Sequence, residues 1–144
     1  MNRVVVPNKI LLAEVESLLR EGHTVTLMTK GNSMLPFIRG DIDSVRLERF
    51  GEPAIGSAVL ARIAPGQYVL HRLIAVDGQN ATLHGDGNLR GDEHCRLSDI
   101  CGVATGIVRP NGKVCGPFND AAARWRKLPY TVRRYILGIY RRLI

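Results

Sequence analysis

The stretch SAVLARIAPGQYVLHRLIAVDGQNATLH, residues 57–84, decides the fold. Three short runs rich in apolar and β-branched residues, Ser57–Ala64, Tyr68–Val76 and Ala81–His84, are bounded by Gly, Pro or Asp, with no helical pattern between them. Strands that follow one another so closely build an antiparallel or mixed sheet, not a doubly wound one. Outward from this stretch the pattern continues. Strands are predicted over His23–Met28, Ser44–Arg49 and Ile100–Arg109, with a short hairpin partner near Lys113–Cys115. Before them, Ile10, Leu11, Val15, Leu18 and Leu19 recur at helical spacing behind Asn8 as N-cap, and Glu21-Gly22 stops a helix of about residues 9–21. Helical spacing returns over Asp120–Lys127 and Pro129–Leu143. The expected fold class is mainly β with flanking α: a curled antiparallel or mixed sheet, an N-terminal helix and C-terminal amphipathic helices.

At 144 residues and 45% apolar composition the chain can fill one core. Its net charge of +7 is unevenly placed. Residues 119–144 hold seven basic side chains against the single Asp120, a net of +6, and residues 1–118 are close to neutral. The division expected is therefore a body, 1–118, and a basic helical tail, 119–144. A nucleic-acid-binding surface spread through the domain is disfavoured by this distribution, and no nucleic acid is expected as partner. No run approaches the roughly 18 apolar residues of a membrane span, and Pro7 breaks Val4-Val5-Val6, so a cytoplasmic address is expected. Cys95, Cys101 and Cys115 are odd in number and lack C-x-x-C spacing, which favours free thiols over a disulfide framework or a zinc site. Neither a metal nor a cofactor is expected.

Three segments carry candidate chemistry. In Gly31-Asn32-Ser33-Met34-Leu35-Pro36 a serine follows a strand in a turn, where backbone amides can face the same space as its hydroxyl. An acyl-transfer nucleophile needs that arrangement, although the same residue types also make an ordinary polar turn. His71 interrupts the apolar run Tyr68–Ile74, beside Val69 and Leu73 on one strand face, with Arg72 on the other. It reads either as a satisfied core histidine or as a general base for Ser33. Gly85-Asp86-Gly87-Asn88, with Asp92 further on, makes a tight loop whose two carboxylates are each a candidate to orient an imidazole or to close an Asx turn.

Together, Gly-x-Ser-Met-x-Pro followed by Gly-Asp, a strand with Val-x-His-Arg, and Gly-Asp-x-Asn with a further Asp six residues after the first resemble the signal peptidase superfamily over about residues 23–110. The likeness is greatest to its Ser-His branch, which includes the endoplasmic-reticulum-type signal peptidases; relatives with a Lys base include bacterial leader peptidases and LexA-type repressors. The resemblance implies Ser33 as nucleophile, His71 as base, Asp92 as the catalytic acid with Asp86 as second candidate, and Asn32, Met34 and Pro36 shaping the nucleophile turn and oxyanion site. It implies a serine endopeptidase acting on a peptide or precursor protein. No hydrophobic anchor precedes Ser33, and one helix is too little for a helix-turn-helix domain, so a small stand-alone bacterial member is expected. Two other readings share these residues: a non-catalytic peptide- or protein-binding module, and a regulator that cleaves itself.

In the tail, Val132, Tyr135, Ile136, Ile139 and Leu143 recur at three-to-four-residue spacing among Arg133, Arg134, Arg141 and Arg142. A basic amphipathic helix of this kind either lies on an anionic membrane, here at its cytoplasmic face, or packs its apolar stripe on protein.

Overall fold

The apolar run at residues 58–61 is buried on both sides of a sheet. Ala58 and Leu60 enter one core with Leu27, Val45, Leu47 and Ala104, whereas Val59 and Ala61 enter a second with Leu73, Ala81, Leu83 and Ile100. Strand alternation sends successive side chains to opposite faces, so a strand that is apolar at every position needs a core on each side. The sheet supplies both.

A computed structural model of the chain describes residues 3–5 and 9–143, with side chains from residue 12 onward. In chain order the elements are β1 (Arg3–Val5), α1 (Lys9–Arg20), β2 (Val25–Met28), β3 (Ser44–Arg49), β4 (Ala58–Ala64), β5 (Gln67–Asp77) and β6 (Asn80–His84). They continue with β7 (Glu93–Arg96), β8 (Ile100–Val108), β9 (Val114–Cys115), α2 (Asn119–Arg126) and α3 (Tyr130–Leu143). The strands form one open sheet in the order β1-β2-β3-β8-β4-β5-β6-β7, with β9 on β8. Every pairing among them is antiparallel except β1 with β2. The fold is mainly β with flanking helices, as the sequence led us to expect.

Two strands were not expected. β1 is three residues long, and β7, Glu-His-Cys-Arg, is an edge strand whose one apolar residue, Cys95, packs on the second core. The N-cap assigned to Asn8 lies outside the described residues.

Helix α1 covers the sheet through Val15 and Leu19, both buried, with Leu18 facing solvent. Fully buried side chains such as Leu19, Leu47, Leu73, Leu83 and Ile107 each stabilise the fold by roughly 1.5–3 kcal/mol through removal from water. Glu16 ties the helix to the sheet: it accepts from Tyr68 Oη at 2.7 Å and pairs with Arg20 at 2.8 Å. Burial, and then the bond to Glu16, push the Tyr68 phenol up to about 12.

The segment after residue 118 lies against the body. Trp125 and Leu137 form a third apolar cluster with Leu35, and Phe37 packs beside them, edge-on to Trp125 and stacked with Phe118. All three cysteines are free, and burial pushes the Cys101 thiol up to about 12, where it is a poor nucleophile. Among the described residues no helix is long and apolar enough to cross a membrane.

Candidate active site

Strand β2 delivers the chain into the turn 31–40, and the turn is held from three sides. Below it, Met34, Leu35 and Ile38 are buried and anchor it to the apolar clusters. Within it, the Leu35 amide donates to the Asn32 carbonyl at 3.2 Å, and the Phe37 and Ile38 amides donate to that of Met34. At its end, the buried Asp43 accepts from the Arg39 amide, from the Arg39 guanidinium and, at 2.7 Å, from Arg109 Nη1. Burial alone would raise the Asp43 carboxyl; the Arg39 hydrogen bonds and the Arg109 charge outweigh it and hold the group below its usual range.

The third side is the loop 85–88. Gly87 donates its amide to the Ser33 carbonyl at 2.7 Å. A Cβ on Gly87 would stand 2.4 Å from the Asn32 carbonyl oxygen, and one on Gly85 would stand 2.5 Å from that of Ser33. No side chain fits at either place, so the glycines of Gly85-Asp86-Gly87-Asn88 allow two backbones to touch directly behind the serine.

Ser33 is half-buried, Asn32 is exposed at the head of the turn, and Pro36, which has no amide proton to donate, is half-buried in its shape-setting part. Among the described residues no hydrogen bond takes the Ser33 or Met34 amide. Ser33 and His71 line the same cavity, about 220 Å³ in volume. Its other walls are mainly apolar: Leu27, Met28, Ile38, Leu60, Tyr68 and Leu70.

His71, 5% exposed, is hydrogen-bonded through Nδ1 to Glu93 Oε1. That carboxylate is not the one the sequence reading chose. Asp92 is instead bonded to His84 Nδ1 at 2.7 Å. The register explains the exchange. Leu73 pairs with Leu83 and Leu83 with Glu93, and directly paired residues project to one face, so Glu93 shares the face of Leu73 and His71. His84 pairs with Arg72 on the opposite face, and Asp92, one residue before Glu93, reaches that side.

Asp86, the second candidate acid, is also on the far side from His71. Its carboxylate accepts from Arg72 Nη2 at 2.6 Å and from Arg72 Nε at 3.3 Å, and both side chains are 0% exposed. Arg72 Nη1 donates further to the Gly56 and Pro117 carbonyls and to Asn119 Oδ1. The Asp86 main-chain carbonyl accepts from Trp125 Nε1 at 2.7 Å. Asp86 therefore clamps the loop behind Ser33 to β5 and α2, and it has no imidazole to orient.

The structure thus brings Ser33 and His71 to one cavity, with Asn32, Met34 and Pro36 in the same turn, and adds Glu93, which the sequence reading missed. The only signal for Glu93 was its place next to Asp92; its strand has no hydrophobic pattern to reveal which way it faces. An ionised carboxylate on Nδ1 fixes the proton there and leaves Nε2 as the imidazole's free acceptor. Such a ring can remove a proton from a hydroxyl that approaches Nε2.

No protein-family model matches the chain, and no curated protein matches its sequence.

Proposed function

We propose that the protein is a serine endopeptidase resembling the Ser-His signal peptidases, with Ser33 as nucleophile, His71 as general base and Glu93 as the acid that orients it. The observation that carries this reading is the buried His71, paired with the half-buried Glu93, on the wall of the cavity that Ser33 lines. A core histidine needs a partner, but it does not need to share a cavity with a serine held on a braced turn.

In this mechanism Nε2 of His71 takes the Ser33 proton as the hydroxyl oxygen attacks a peptide carbonyl. The free amides of Ser33 and Met34 donate to the oxyanion, and Glu93 stabilises the imidazolium. The imidazolium then gives its proton to the leaving amine as the C–N bond breaks, and water completes the cycle by hydrolysing the acyl-enzyme. The substrate is a peptide or precursor protein whose apolar side chain enters the cavity.

The test is acylation by a fluorophosphonate, read by intact-protein mass. The native chain should label at Ser33, and Ser33→Ala should not. Glu93→Gln should slow labelling by roughly 10²–10⁴-fold, on the scale seen when the acid of a Ser-His-Asp set is made neutral, and Asp92→Asn should stay within about threefold. Labelling that survives Ser33→Ala would remove the nucleophile assignment. A slow Asp92→Asn beside a normal Glu93→Gln would return the acid's role to Asp92. A native chain that never labels and cuts no peptide would leave a binding module.

A further inference from the structure

We propose that the outer face of α3 is a docking surface for an anionic lipid membrane. Leu137, 1% exposed, faces inward with Trp125 and Leu35, and Ile136 packs beside them. Among the described residues the opposite side of the helix has no such cover. Val132, Tyr135, Ile139 and Leu143 recur at i, i+3, i+7 and i+11, which places them in one stripe. All four are exposed, Tyr135 at 73% and Leu143 at 77%.

Arginines border this stripe. Arg134 and Arg142 stand with Tyr135 and Ile139 around a shallow surface groove floored at Gly138, and Arg141 is exposed at the helix end. Residues 119–144 contain one acidic residue, Asp120, against seven basic ones. An apolar stripe edged by cations matches a surface that offers hydrocarbon below a layer of negative headgroups. A second copy of the chain would bring two arginine rows together and repel. A nucleic acid would satisfy the arginines but leave Val132, Ile139 and Leu143 with nothing to bury against.

The inner face of α3 reaches Leu35, two residues after Ser33, so docking would hold the candidate site in a fixed attitude to the membrane. The docking surface itself does not depend on the peptidase reading.

The experiment is sedimentation of the full chain with vesicles of phosphatidylcholine alone or with 30% phosphatidylglycerol added, at about 50 and about 300 mM salt. Binding is expected with the anionic vesicles only, weakening by tenfold or more at the higher salt. Tyr135→Ser/Ile139→Ser and Arg134→Gln/Arg142→Gln should each lower the partition coefficient at least tenfold. Their melting temperatures should match the parent, because all four side chains face outward. Equal binding to both vesicle types, or binding unchanged in both variants, would overturn the proposal. So would a dimer in light scattering that the Tyr135→Ser/Ile139→Ser variant abolishes, or duplex DNA that binds the helix more tightly than the anionic vesicles do.

Discussion

Removing the Asp86 carboxylate is expected to cost stability before it costs chemistry. Asp86 and Arg72 are both fully buried and joined by two hydrogen bonds. Asp86→Ala leaves the guanidinium with neutral partners only, the carbonyls of Gly56 and Pro117 and the Asn119 amide oxygen. Breaking a buried pair from one side typically costs about 3–5 kcal/mol, because the remaining charge stays desolvated. Unfolding entropy near 2.1 cal/mol/K per residue gives about 0.3 kcal/mol/K for a chain of 144 residues. The melting temperature should therefore fall by roughly 10–17 °C. Trp125, the sole tryptophan, is 5% exposed and bonded to the Asp86 carbonyl, so its fluorescence reports unfolding where the loop is clamped. Arg72→Met/Asp86→Leu removes both charges and should recover a large part of the loss, since apolar replacements of a buried pair are often neutral or better. A fall of less than about 3 °C for Asp86→Ala, together with lost fluorophosphonate labelling at full stability, would refute the structural role and make Asp86 catalytic.

Two further outcomes follow from the same packing. Gly87→Ala should displace the Ser33 turn, because its Cβ would meet the Asn32 carbonyl at 2.4 Å; fluorophosphonate labelling of Ser33, which the proposed function expects, should slow at least tenfold at a temperature well below the variant's own melting point, and an unchanged rate would show that the loop does not brace the turn. Asp43 has a folded-state pKa below its unfolded value, so its contribution is complete above about pH 5 and is lost as pH falls through about 4 and below. Asp43→Asn should be less stable than the parent by about 2–4 kcal/mol at pH 7 in denaturant titrations, with the gap narrowing below pH 4; a gap constant with pH would contradict the assignment.

Much of this fold was legible because its strands carry their burial in their residue types. The run Ala58–Ala61 is apolar without a break because each face of β4 meets a core. His71 and Arg72 were placed on opposite faces by the same period of two, and the ladder keeps them there. The carboxylate that partners His71 was less legible for a related reason. Strand β7 lies at the sheet edge with half-buried and exposed residues in turn and Cys95 as its one apolar contact, so there was no strand signal in the sequence around Asp92. With no strand there was no face to assign, and the choice of Asp92 over Asp86 rested on the family resemblance alone. The Arg72–Asp86 clamp was also invisible, because pairing across 14 residues depends on the β5–β6 ladder and not on any local pattern.

That edge strand also bears on how the chain tolerates insertions and deletions. A strand with one apolar face is locked in register by its core, but β7 has only Cys95 on the second cluster and depends as well on the length of the glycine-rich connection before it. If a residue gained or lost in that connection slips β7 by one position, either Asp92 moves into the place of Glu93 opposite Leu83, toward His71, or Glu93 moves into the place of Asp92, toward His84. One imidazole would still meet an acid, with a side chain one methylene shorter or longer than before, and the other would lose its partner. Adjacent acids therefore keep one of the two pairings through such an event while altering its reach, and a change of two residues would leave neither imidazole opposite an acid.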